Sequence, residues 1–226
     1  MTSITAEATT LLSQLYSDKH SWASLTGFTP FSVGFDDSNR RRRYLALLAL
    51  HASHAPHSDE QASLIAYLLD EETRYHQHVD HYCTSISLAA YLSATRVHKP
   101  SCLWGIWVTR QTNFDASKCV DVHYMYYAAG SLDGAKSYVQ NCTDIREVVG
   151  EGEGRMGWWL WMLEDHGGDE AKALEALKKD VCARIEHDRK CGMTDGAVQE
   201  FVEGSWRRDT QSWSESLLPE EVWSLQ

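Results

Sequence analysis

From residue 85 to residue 130 the chain carries three apolar stripes in succession at helical spacing, and almost no segment alternates with period two. A half-buried strand repeats every two residues and an amphipathic helix every three to four. The chain is therefore expected to be all-α. Only residues 145–149 read as a plausible strand.

Local chemistry sets the predicted boundaries. A first helix is expected over 5–16, with Leu11, Leu12 and Leu15 on one side. Residues 19–39 are irregular, broken by Gly27, Pro30 and Gly34, with Phe28, Phe31 and Phe35 available to pin them to the body. Asp36, Asp37, Ser38 and Asn39 offer N-caps for a helix reaching about residue 55, which Pro56 ends. Ser58 caps the next helix, whose first turn holds Asp59 and Glu60, where the dipole favours acids. Three helices follow, over about 80–96, 100–112 and 115–129. Pro100 suits a first helical position and Gly130 a C-terminal cap. A short helix is expected over 131–138 and an aromatic one over 158–164. Asp169 opens the longest, striped by Leu174, Leu177, Val181 and Ile185.

The whole chain, 1–226, reads as a single helical domain. The glycine-rich run 150–157 is its clearest break, a hinge between a repeat body (36–149) and C-terminal helices (158–226). Helix pairs recur at roughly 30 to 40 residues, which suits stacked antiparallel hairpins. The alternation of helices and short turns over about 88–140 resembles HEAT-like repeats. That resemblance implies a curved α-α superhelix and no particular activity. A compact helical bundle is the alternative.

Charge narrows the partners. Lys and Arg number 21 against 32 Asp and Glu, a formal charge of -11. A nucleic-acid binder carries a basic face, and so does a protein held on an anionic membrane. Neither partner is expected. No run approaches the roughly 18 apolar residues of a membrane span, and the N-terminus lacks the basic start and apolar run of a secretory leader. Six cysteines without a CxxC pair read as reduced thiols, so the expected compartment is the cytosol.

Several groupings could carry chemistry. His51 and His54 lie three apart, as do His78 and His81, with His76 nearby. If their helices pair, the imidazoles could hold a divalent metal such as zinc, although no HExxH spacing is present. The bland alternative is a set of solvated helix-end histidines. Asp115, Cys119 and His123 fall at i, i+4 and i+8, one face of a continuous helix, flanked by Asp121 and Tyr124. His123 would act as base or ligand, Asp121 as its orienter and Tyr124 as a donor. Here the alternative is an N-cap, a core thiol and a groove-filling ring. Trp104, Trp107, Tyr127, Trp158 and Trp159 could line a ligand pocket, though core packing is the default for most. Arg40 to Arg43 put four cations in a first turn, against the dipole, so nearby acids or an anion must answer them. Gly152, Gly154 and Gly157 match a dinucleotide loop by letter, but Glu151 and Glu153 sit where a pyrophosphate would lie.

Two functions follow. The first is a non-enzymatic protein that binds a partner protein or small molecule on a concave His- and aromatic-lined surface. The alternative is a small-molecule enzyme working at the Asp115, Cys119 and His123 face by acid-base or metal-assisted chemistry.

Overall fold

The computed structural model describes residues 4–29, 37–53, 58–79, 84–141 and 170–191. Among them there is no strand. The elements are α1 (Ile4–Ser17), α2 (Trp22–Thr26), α3 (Arg40–Ala52), α4 (Asp59–His76), α5 (Thr84–Leu92), α6 (Cys102–Gln111), α7 (Phe114–Cys119), α8 (Val122–Ala128), α9 (Leu132–Asn141) and α10 (Glu170–Cys191). A 3₁₀ turn, Lys19–Ser21, precedes α2, and a π-helical turn, Ser93–Val97, continues α5. The all-α expectation holds. No described helix is long and apolar enough to cross a membrane.

The centre of the molecule is α5. All nine of its residues are buried, and α3, α4, α7 and α10 pack around it. A helix without a polar face has to be enclosed. Its hydroxyls are bonded sideways: Ser85 donates to Glu72 at 2.6 Å, and Ser87 shares a 3.0 Å bond with the Tyr124 hydroxyl. The second layer is α4 against α6 and α6 against α7 and α8, while α10 also packs on α8.

The helix α4 shows how sequence becomes packing. The Ser58 side chain accepts from the Gln61 N–H, and Asp59 and Glu60 occupy the first turn. Leu64, Ile65 and Leu68 recur at helical spacing and are fully buried. Burial of each such side chain stabilises by roughly 1.5–3 kcal/mol. At the far end, the Asn113 amide donates to the His76 and Val79 carbonyls at 2.6 and 2.9 Å, tying α4 to the start of α7.

Three expectations change. Residues 115–129 are not one helix: Val120 and Asp121 are extended, and Asp121 caps a separate α8 by accepting the His123 N–H. Arg110 from α6 donates to the Ser117 carbonyl at 2.6 Å and to the Val120 carbonyl, and Arg184 from α10 donates to the Lys118 carbonyl at 3.4 Å. These guanidiniums satisfy carbonyls that a continuous helix would have used itself. The second change lies in 80–96, where the described α-helix ends at Leu92 and a π turn carries the chain to His98, which is left-handed at φ 47°. The third is α2, an ordered turn of helix inside the stretch expected to be irregular. The strand expected at 145–149, the hinge at 150–157, the helix at 158–164 and residues 192–226 lie outside the described residues.

Candidate functional site

The four arginines that open α3 are answered from within the chain. Arg43 is wholly buried. Its Nε donates to Glu72 at 2.6 Å, and its Nη2 lies 2.7 Å from an Asp37 oxygen. Burial works against the Arg43 charge, but Glu72 and Asp37 outweigh it and hold the guanidinium even more firmly protonated than usual. Arg41 forms a two-pronged pair with Glu7, the longer leg 2.7 Å, and Arg40 lies 4.3 Å from the Tyr75 ring centre. Arg42 donates to the Asn39 side chain at 3.2 Å. The run is a structural clamp between α1, α3 and α4.

That clamp also fixes the histidines. Arg43 meets Glu72, and Arg40 meets Tyr75, so α3 and α4 run antiparallel. His51 therefore sits at the opposite end of the pair from His76, about 12 Å along α3 from Arg43 at 1.5 Å per residue. His51 is buried edge-on to Tyr91, with Arg96 bonded to the His51 and Ser53 carbonyls. Burial, then the nearby Arg96 charge, hold its imidazole down to about 4. His76 is buried edge-on to Tyr75, and His78 stacks on Phe28. His51 is thus kept apart from His76 and His78, and His54 and His81 lie outside the described residues. No group of three or more His, Cys, Asp or Glu suited to a metal ion occurs among the described residues.

The Asp115, Cys119 and His123 face is divided by the break at Val120. Cys119 is buried under Arg184, 3.9 Å from its guanidinium, and Asp115 is half-buried on α7. Across the break, the His123 Nδ1–H donates to Asp121 at 2.6 Å. That bond raises the imidazole above its ordinary range against the effect of burial. Burial works upward on the Asp121 carboxyl, but its bonds to His123 prevail and hold it low. Tyr124 points the other way, into the core. Its hydroxyl reaches Ser87 and, at 3.4 Å, Asp180. Burial, then the Asp180 charge, keep it protonated far beyond the normal phenol range. Burial, then Asp121, push the Asp180 carboxyl up to about 6. Arg184, 2.8 Å away, favours the charged form of the same carboxyl. The structure thus forms an Asp121–His123 pair at the surface and a Tyr124–Asp180–Arg184 chain beneath it.

A concave feature among the described residues lies elsewhere. A groove of about 650 Å³ runs between α4 and α6 and is closed at one end by the π turn. Ala66, Leu69, Val97, Trp104 and Val108 form its walls. Thr73 and Thr109, both buried, meet on its floor, buried Ser93 lines it from the π turn, and Asp59, Asp70 and Lys99 stand at the rim. Gly105 faces it from the middle of α6. A Cβ there would meet only a Leu69 methyl, at an ordinary 3.6 Å. The thiol of Cys102, also in the wall, is pushed up by burial and stays protonated. Of the aromatic residues expected at a pocket, Trp104 lines this groove, Trp107 is buried in the core, and Tyr127 packs on His98 at 5.0 Å. Trp158 and Trp159 lie outside the described residues. Sequence reading passed over Gly105, Thr73, Thr109 and Ser93. The available signal was a lone glycine inside a helical pattern, which lowers helix stability unless space is needed.

No known family, curated protein or solved structure matches this chain.

Proposed function

We propose that this is a binding protein and that the groove between α4 and α6 holds a small organic molecule. The observation that carries the reading is Gly105. A glycine in a helix interior costs about 1 kcal/mol relative to alanine. No close approach demands it here, since a Cβ would fit. What it supplies is room over the buried floor of the groove. A volume of about 650 Å³ falls in the range of small-molecule sites, and apolar walls with a few polar groups are their usual lining. The body is read as stacked antiparallel helical hairpins, HEAT-like over about 88–140, with a compact helical bundle as the alternative; the contacts of α10 with α5 and α8 support the bundle. Free thiols at Cys102 and Cys182 support a reducing compartment such as the cytosol.

The test is a small-molecule library screened by thermal shift against the full chain and Gly105→Leu, whose side chain would fill the groove. Ligands that stabilise the first and not the second support the reading. Ligands that stabilise both bind elsewhere and overturn it.

A second reading rests on the Asp121–His123 pair. A carboxylate that orients an imidazole is a general-base arrangement. Under this reading a small molecule is turned over at the α7–α8 break, and His123→Ala abolishes turnover while the fold is retained. Unfolding of that variant would make His123 structural.

A further inference from the structure

We propose that the ligand of the groove is an organic ammonium ion with an apolar body, an inference that rests on the binding role assigned to the groove above. Proton counting on the floor carries it. Thr73 Oγ1 lies 2.7 Å from the Leu69 carbonyl, and Thr109 Oγ1 lies 2.8 Å from the Gly105 carbonyl. The two hydroxyls are 2.6 Å from each other. Three contacts compete for two protons, because each hydroxyl owns one. Neither threonine has a proton to give a ligand, so both present lone pairs. A group seated there must donate.

Further features bear on the same ligand. Ser93 is 1 % exposed, and its hydroxyl has no hydrogen-bond partner among the described residues. A buried hydroxyl without a partner costs free energy that a ligand would recover. The Trp104 indole stands in the wall, and an aromatic face attracts a cation. The rim carboxylates are each paired, Asp59 with Lys99 at 3.5 Å and Asp70 with Arg74 at 2.9 Å, and the chain as a whole carries -11, which draws cations toward it. A carboxylate seated on the two threonines would meet only lone pairs. An ammonium offers three donors and a positive charge.

The experiment compares three probes that share one apolar body: 2-phenylethylamine, 2-phenylethanol and phenylacetate. Each is titrated calorimetrically into the full chain, Gly105→Leu and Gly105→Ala. The amine is expected to bind about tenfold more tightly than the alcohol, which corresponds to the advantage of about 1.4 kcal/mol that a charge-assisted hydrogen bond has over a neutral one. Phenylacetate is expected to bind most weakly. Binding of the amine is lost in Gly105→Leu and weakened in Gly105→Ala, which also checks that the site tolerates substitution without unfolding. If the alcohol or the acetate binds as well as the amine and all binding depends on Gly105, the ammonium assignment fails and the groove stands. If the amine binds folded Gly105→Leu unchanged, or if no probe binds at about 10 mM, where a fragment of this size should register, the groove reading fails as well.

Discussion

The Arg43 cluster and the floor of the α4–α6 groove are both buried and polar, and they are built in opposite ways. In the first, charge meets charge on all sides. Arg43 touches Asp37 and Glu72, and Glu72 also accepts from Ser85. Each charge there has an opposite charge in contact. In the second, two threonine hydroxyls share three contacts with two protons, and Ser93, elsewhere in the lining, has no partner among the described residues. Buried polar groups are normally satisfied. A closed cluster therefore reads as architecture, and an open one reads as a place made for something else. The residue types mislead here. Four arginines look more like a binding site than two threonines and a serine do.

The comparison breaks first at Arg43. Arg43→Ala leaves two carboxylates in the core and should cost about 3–5 kcal/mol in urea denaturation. A loss below about 1 kcal/mol would mean that the cluster is not closed as described.

The other end of α3 sharpens the contrast with pH. His51 is buried neutral at about 4, below the ordinary imidazole value of about 6.5. The unfolded chain takes up a proton below that ordinary value and the native state does not. Stability from His51 is therefore complete above about pH 6.5 and is lost as pH falls toward 4. The full loss is about 3 kcal/mol, at about 1.36 kcal/mol for each pH unit between the two values. His51→Phe should flatten this part of the pH–stability curve. An unchanged slope between pH 6.5 and 4 would show that other groups set it.

Two serines on one helical run give the next test. Ser85→Ala removes a bond to a buried carboxylate and should destabilise by about 2 kcal/mol. Ser93→Ala removes a hydroxyl that has no partner among the described residues and should be neutral or stabilise by up to about 1 kcal/mol. Equal losses at both positions would erase the distinction between closed and open clusters. The smallest effect is at Gly105: Gly105→Ala should raise stability by up to about 1 kcal/mol. A loss of stability there would mean that the glycine is needed for packing, not for space.

Local pattern along the chain specifies the helical class and most helix positions. Period and caps act over a few residues, so Ser58, Asp59 and Glu60 announce α4 without any knowledge of the rest. The same local reading ran 115–129 into one helix. The break at Val120 is held by Arg184 from α10, 66 residues along the chain from the Lys118 carbonyl it bonds, and by Arg110, near in sequence but brought back by the packing of α6 on α7. The candidate site divides in the same way. His123 and Asp121 were legible because they are neighbours in sequence, and Trp104 because of its type. The tertiary structure alone decided that His51 and His76 are held apart, that Tyr124 points inward toward Asp180, and that Thr73 meets Thr109 over a groove faced by Gly105. Spacing along a chain fixes which groups share a helix face. Only the packing of one helix on another fixes which faces meet, and therefore which buried groups find partners and which are left open.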